Sequence, residues 1–267
     1  TQLQARGLQP GQKPELAALE MPEVLTAIHT DYANAGADIL LANTFGANAK
    51  KLTGCGHTVE EVVSASIACA RKAAETTGAC VALDIGPLGE LLVPAGTLAF
   101  EDAYNEFAQV IRAGAAAGAD LVFLETMTDL YELKAALLAA KENCDLPILA
   151  SMSFEAGGRT FTGCTVESFA VTARGLGANA VGINCSLGPK EIFPMAKRLT
   201  EALPGSFPVF VKPNAGLPTI TETGEAVYSM GPEDFVRHMQ ALKASGAALL
   251  GGCCAVSYTH LTLPTKL

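Results

Sequence analysis

The alternation of short apolar runs with longer segments of helical period constrains the fold of this chain most strongly. Seven runs rich in β-branched and apolar residues predict strands, at 37–45, 80–87, 119–127, 147–154, 180–186, 208–215 and 247–254. Segments of helical period, such as 101–118 and 232–246, lie between them. Because parallel strands are joined by long crossovers that are usually helices, the alternation predicts repeated βα units.

A glycine recurs where each predicted helix meets the next strand. AGAD occurs at 35–38 and 117–120, LGANA at 176–180 and SGAAL at 245–249. Glycine suits the left-handed conformation that ends many helices. Strands that are apolar on both faces fit a parallel sheet covered by helices, and its closed form is the (β/α)8 TIM barrel. We predict this barrel rather than a doubly wound open sheet, because no GxGxxG sequence follows the first strand.

Seven predicted strands are one fewer than a closed barrel needs. We expect the missing strand to precede Thr1, and we expect no closing helix after Cys254, where AVSYTHLTLPTKL lacks helical period and caps. The predicted organisation is therefore a barrel fragment over residues 1–254 that lacks its first strand and closing helix. Residues 255–267 are predicted to be a non-native tail.

The amino-acid composition argues against some classes of binding partner. The formal net charge is −9 and no Lys/Arg-rich run occurs, which argues against a nucleic-acid surface. No apolar stretch approaches the roughly 20 residues that span a bilayer, and the N-terminus lacks the apolar core of a signal peptide. Eight cysteines in 267 residues are too few for a disulfide framework. These features predict a cytoplasmic protein with reduced thiols and no membrane partner.

Polar and sulfur-bearing side chains end the predicted strands. In a barrel of this kind, the chemistry lies at the carboxyl ends of the strands. The residues at these positions are Asn43, Asp84, Glu125, Asn184, Cys185, Lys212, Asn214, Cys253 and Cys254. The four histidines lie in predicted helices, in a loop or in the tail, so none of them ends a strand.

Cys185, Cys253 and Cys254 form the candidate metal site. If the missing strand is counted first, they end strands six and eight, and alternate strands share layers inside a barrel. Three thiolates with one open position describe a catalytic zinc site, and soft sulfur ligands favour zinc over magnesium or calcium. Gly251-Gly252 would let the chain unwind, so that two adjacent sulfurs can turn to the same side. A single strand-end cysteine could instead be a small buried hydrophobe.

Six ordered motifs resemble the homocysteine S-methyltransferase family, most closely the N-terminal homocysteine-binding domain of cobalamin-dependent methionine synthases. They are ADILLANTFGAN, LDIGPLGE, FLETMTD, GINCS, KPNAGLP and GGCC, at residues 37–254. The resemblance implies zinc bound by Cys185, Cys253 and Cys254, with the sulfur of homocysteine in the fourth position. It also implies methylcobalamin on a separate module as the methyl donor, and further folate- and cobalamin-binding modules in the full protein.

Thiol chemistry gives the expected mechanism. Coordination to a metal deprotonates a thiol outright, so homocysteine would be activated as a zinc thiolate that attacks a methyl group and gives methionine. No catalytic residue beyond this bound thiol is predicted. Glu125 matches a family glutamate that binds the substrate's ammonium group, or else it is a helix-start carboxylate. Asn43 and Asn184 either orient substrate, support the metal site or close loops.

Two alternative functions stay open at this level. One is a methyltransferase of the same family that takes its methyl group from betaine or S-methylmethionine. The other is a lyase or aldolase-type barrel in which Lys212 forms a Schiff base while the cysteines only pack. A Schiff-base lysine needs a desolvated, inward position, which sequence alone does not establish.

Overall fold

The computed structural model describes residues 2–221, 226–228 and 230–261. Its α-helices are α1 Gln2–Ala5, α2 Ala17–Glu20, α3 Pro22–Asn34, α4 Ala49–Leu52, α5 Val59–Ala74, α6 Phe100–Ala116, α7 Leu130–Asn143, α8 Val166–Gly175, α9 Pro189–Glu201, α10 Pro232–Ala244 and α11 Tyr258–Leu261. Its strands are β1 Ile39–Leu41, β2 Cys80–Ile85, β3 Leu121–Met127, β4 Ile148–Met152, β5 Ala180–Asn184, β6 Val209–Lys212, β7 Pro218–Ile220, β8 Ala226–Tyr228 and β9 Leu249–Leu250.

Seven of these strands form one sheet, in the order β1-β2-β3-β4-β5-β6-β9. Neighbours pair in parallel, with Ile39 opposite Cys80 between β1 and β2 and Asn184 opposite Lys212 between β5 and β6. Each of the seven strands lies inside a predicted range, so the α/β class and its parallel sheet are confirmed. Closure into an eight-stranded barrel stays a prediction.

The chain divides into two compact units. The first comprises Thr1–Glu125 and Tyr131–Leu149, and the second comprises Thr126–Leu130 and Ala150–Leu267. In the first unit, Val81, Ala82 and Leu83 of β2 are fully buried. A Cβ at Gly114 would overlap the Leu83 side chain, so the glycine lets α6 pack closely against this strand.

The second unit contains the carboxyl ends of β5 and β6. Every residue of β5 is buried, and a Cβ at Gly182 would overlap the Phe210 ring of β6. Phe154 and Phe169, which also belong to this unit, pack against each other with ring centroids 6.1 Å apart. Apolar packing of this kind fixes where the two strands end, and therefore where the side chains that follow them lie.

Helix ends follow the capping signals in the sequence. Thr58 and Glu61 form a capping box at the start of α5, and Pro22 occupies the first turn of α3. The helical segments predicted at 101–118 and 232–246 correspond to α6 and α10.

Among the described residues, no helix combines the length and the apolar character needed to cross a membrane.

A hairpin and a short helix differ from the sequence prediction. The β7–β8 hairpin was not predicted; its strands pair antiparallel, with Pro218 opposite Tyr228. Three-residue strands are too short to show an alternating pattern. A single helical turn, α11, also forms where no helix was predicted, and His260 packs edge-on against Phe235 of α10 at 5.5 Å between ring centroids. The assignment of residues 255–267 as non-native stays a prediction.

His29 makes the stability of the first unit sensitive to acid. It lies in α3, is 7% exposed, and its Nε2 is buried without a hydrogen-bond partner. Burial lowers the pKa of His29 from 6.5 to about 4. Between these pKa values the unfolded chain binds a proton that the folded protein excludes, so stability falls as the pH falls.

We expect acidification from about pH 7 to about pH 5 to cost about 2 kcal/mol of unfolding free energy through His29 alone. His29→Leu removes the titrating group, so its urea unfolding should lose that part of the pH dependence. His57→Leu, which replaces a half-exposed histidine, is the control and should retain it. Equal pH slopes for wild type and His29→Leu would contradict this account.

Candidate metal centre

Three cysteine sulfurs gather in the second unit. The Sγ atoms of Cys185, Cys253 and Cys254 all lie within 4.8 Å of one another, and the Cys185 and Cys254 sulfurs are 3.8 Å apart. All three side chains are partly exposed, and none forms a disulfide. Within the described parts of the chain, no other group of three His, Cys, Asp or Glu side chains comes together in this way.

Backbone contacts with β6 position Cys185. It directly follows the last residue of β5, and its N–H donates to the Lys212 carbonyl at 3.1 Å. Cys185 and Ser186 both have left-handed backbone conformations, with φ of 62° and 57°. Such conformations cost about 1 kcal/mol or more for residues other than glycine, and they concentrate at functional sites. The strand therefore ends in a sharp turn that carries the Cys185 sulfur.

Cys253 and Cys254 follow an unwound strand end. Pairing in β9 ends at Leu250, and the Cys253 N–H donates to the Pro213 carbonyl at 2.8 Å. A Cβ at Gly252 would overlap the Val256 side chain, so only glycine permits this close approach. As predicted, the Gly-Gly pair lies where the strand unwinds, and the two adjacent sulfurs belong to one cluster.

Asn214 and Asn184 hold the cluster from the neighbouring strand ends. The Asn214 side-chain oxygen accepts from the Cys254 N–H at 3.0 Å. Asn184 is fully buried, and its oxygen accepts from the Thr126 N–H and the Ser151 hydroxyl, both at 2.9 Å. Its amide nitrogen donates to the Thr126 hydroxyl at 2.8 Å and faces the Cys253 sulfur at 4.0 Å. Whether Asn184 orients substrate or supports the metal site stays a prediction.

Contacts within the sulfur cluster shift the pKa values of two of its thiols in opposite directions. The pKa of Cys254 lies far below its ordinary value, because Cys185, Cys253 and then Tyr228 hydrogen-bond to its sulfur. A hydrogen bond with Cys253 lowers the pKa of Cys185, but the hydrogen bond with Cys254, burial and the Cys254 charge raise it by more. Burial and the nearby Cys254 raise the pKa of Tyr228 to about 12. Hydrogen bonds from its neighbours therefore favour the thiolate form of Cys254.

Sequence reasoning did not identify Tyr228. This residue ends β8, and its hydroxyl donates a hydrogen bond to the Cys254 sulfur. The predicted site residues all lie near the ends of parallel strands, whereas Tyr228 lies in the hairpin that follows β6. Its only sequence signal is a tyrosine in a segment without periodicity, which does not distinguish it from a packing residue.

The other predicted site residues occupy different environments. Glu125, in β3, is 7% exposed and belongs to the first unit, as does Asn43. The Asn43 amide donates to the Pro14 carbonyl at 2.6 Å. Lys212 is partly buried, and its Cγ would lie 2.9 Å from a Cβ placed on Gly251. The substrate roles of Glu125 and Asn43 stay predictions.

The cysteine cluster suits a soft divalent metal. Three sulfurs supply three of the four tetrahedral positions that zinc prefers, and partial exposure leaves room for a fourth ligand. Hard cations such as magnesium and calcium prefer oxygen ligands, which this cluster does not offer. The residues present therefore fit zinc in an open, catalytic type of site.

Fold and site together define an α/β protein with a parallel sheet and a three-thiol cluster at its strand ends. The family model for homocysteine S-methyltransferase matches residues 1–263. The chain belongs to this family.

Curated relatives agree with this assignment. The chain is 31% identical over 256 residues to the methionine synthase of Mycobacterium tuberculosis and 31% identical over 255 residues to that of Mycobacterium leprae. Each alignment covers 90% of this chain but 21% of the relative, so the chain spans about a fifth of their length.

Among solved structures, the oxidized form of the homocysteine methyltransferase MmuM from Escherichia coli matches with a TM-score of 0.82 and 22% identity. The match covers 97% of this chain and 90% of that protein. Its metallated form matches with a TM-score of 0.80 and 20% identity, over 98% and 91% of the two chains. At these identities the likeness shows a shared fold.

Proposed function

We propose that this chain is the homocysteine-binding part of a methionine synthase, which binds zinc through Cys185, Cys253 and Cys254 and methylates homocysteine to methionine. The clustering of the three sulfurs within 4.8 Å carries the proposal. Family membership, relatives named methionine synthase and a similar fold in a protein described in a metallated form support it.

Zinc, when bound, would lower the pKa of an incoming thiol so that it binds as a nucleophilic thiolate at neutral pH. The chain's own residues prepare that site. Hydrogen bonds from its neighbours already favour the thiolate form of Cys254, which reduces the number of protons that metal binding must displace. The backbone bonds of Cys185 and Cys253 to β6 and its following loop hold their sulfurs in place.

Methyl transfer needs one bond to form and one to break. The homocysteine sulfur would bond to the methyl carbon as the carbon's bond to the donor breaks, with that electron pair remaining on the donor. We propose methylcobalamin, carried on a separate module, as the donor. The relatives' much greater length supports the presence of further modules. We propose that a folate-binding module is among them.

Glu125 and Asn43 are proposed to contact the substrate's amino-acid group. Glu125 is a buried carboxylate at the end of a parallel strand, where a carboxylate can pair with an ammonium group. Asn43 comes two residues after the last residue of β1, near the corresponding end of another parallel strand. Asn184, by contrast, is proposed to support the metal ligands.

An assay of methionine formation tests the proposed function. Zinc-loaded protein is given homocysteine with free methylcobalamin, and parallel reactions contain betaine or S-methylmethionine. We expect methionine from wild type and from Cys55→Ser, a control outside the cluster, and a loss of more than about a hundredfold in Cys254→Ser. Glu125→Gln should raise the KM for homocysteine. Equal turnover by Cys254→Ser would contradict the site, and turnover with betaine alone would contradict the donor.

A further inference from the structure

We propose that Tyr228 is a positioning residue of the metal site, which acts through Cys254 by donating a hydrogen bond to its sulfur. This inference rests on the proposed function, because it concerns how the three sulfurs hold zinc. Tyr228 does not lie at the end of a parallel strand. It reaches the cluster from the hairpin between β6 and α10. The hairpin that carries it therefore forms part of the site.

The hairpin is anchored close to the cluster on both sides. Pro218 pairs with Tyr228 across the hairpin, and the Met230 N–H donates to the Ala215 carbonyl at 3.2 Å. The Ala215 N–H in turn donates to the Cys254 carbonyl at 3.0 Å. Backbone bonds thus connect the segment that follows Tyr228 to the backbone of the same cysteine that its hydroxyl contacts.

Glycine permits the close approach of these segments. Gly216 has φ of 93°, and a Cβ there would lie 3.4 Å from the Met230 Cβ. A Cβ on Gly188 would lie 2.8 Å from the Gly216 Cα, so the turns after β5 and β6 also come together without side chains. Close backbone packing of this kind holds the hairpin against the loops that carry the cysteines.

The expected effect follows from the charge on the sulfurs. Three thiolates around one zinc ion leave a net negative charge, which a hydrogen-bond donor stabilises. Groups that hydrogen-bond to metal ligands fix ligand orientation, and their removal typically lowers metal affinity about 10- to 100-fold. Asn184 faces Cys253 and Tyr228 contacts Cys254, so two of the three ligands would have a donor next to the sulfur.

Tyr228→Phe tests this role because it removes the hydroxyl and retains the ring. We expect zinc affinity, measured by competition with a chromophoric chelator, to fall about tenfold. In the cobalt-substituted protein, the sulfur-to-cobalt charge-transfer band should move to longer wavelength, because the thiolate electrons lose a stabilising hydrogen bond. Tyr104→Phe, which removes a hydroxyl bonded to Glu142 in the first unit, should change neither quantity.

The outcomes separate this inference from the proposed function. If wild type binds zinc and Tyr228→Phe shows wild-type affinity and an unshifted band, the inference about Tyr228 is wrong and the metal site stands. If wild type binds no zinc, both are wrong. A loss of affinity with an unchanged band would indicate general loosening of the hairpin, and would also overturn a role through the Cys254 sulfur.

Discussion

Replacing any one of Cys185, Cys253 and Cys254 by serine is expected to abolish stoichiometric zinc binding. Each substitution removes one of three soft ligands and leaves a hydroxyl that stays protonated at neutral pH. We expect the loss of affinity to exceed about a hundredfold, which is the upper range for the loss of a group that only supports a ligand. Metal content after dialysis against a weak chelator measures the effect.

Control substitutions distinguish ligand loss from general damage. Cys55→Ser and Cys144→Ser replace free, partly exposed cysteines of the first unit, and both variants should retain zinc. The three cluster variants should still unfold cooperatively without metal, because their side chains are only partly buried. Zinc retained at wild-type level in Cys185→Ser would show that the cluster is not the metal site.

Asn184→Ala is expected to have the largest effect on stability. The substitution leaves the Ser151 hydroxyl without its partner in a buried environment, and the Thr126 N–H and hydroxyl without theirs in a partly buried one. An unsatisfied buried polar group costs about 1–3 kcal/mol, so we expect the free energy of unfolding to fall by about 3–5 kcal/mol. Zinc affinity should fall too, because the amide no longer faces Cys253.

Denaturant unfolding of the metal-free protein, followed by a zinc titration of the same sample, measures both effects. Asn143→Ala is the matched control, because its amide also makes three hydrogen bonds, with Arg112, the Ala139 carbonyl and Tyr104, but in the first unit. It should lose less stability and no zinc affinity. A stability loss below about 1 kcal/mol for Asn184→Ala would contradict the network described here.

The sheet was predictable because burial on both faces leaves a direct sequence signal. All seven parallel strands read as apolar runs, and the GINCS and GGCC segments placed three cysteines where such strands end. Gly251-Gly252 could be interpreted from strand geometry. Adjacent strand residues ordinarily point to opposite faces, so two adjacent cysteine ligands require the strand to unwind before them. Local pattern and strand geometry thus identified the candidate ligands.

The groups around the ligands were not predictable in the same way. The bonds of Asn184 depend on Thr126, which lies 58 residues away and has a left-handed backbone with φ of 63°. Tyr228 contacts Cys254 from a hairpin of three-residue strands, which have no periodicity to detect. Such contacts arise from tertiary packing between segments distant in sequence, so a three-dimensional structure is needed to identify them.

X-ray absorption at the zinc edge tests the central claim most directly. Zinc-loaded wild-type protein should show three sulfur neighbours at about 2.3 Å and one lighter neighbour. Addition of homocysteine should replace the lighter neighbour with a fourth sulfur. Fewer than three sulfur neighbours in the wild type, or a spectrum that homocysteine leaves unchanged, would contradict a three-cysteine site that binds the substrate thiol.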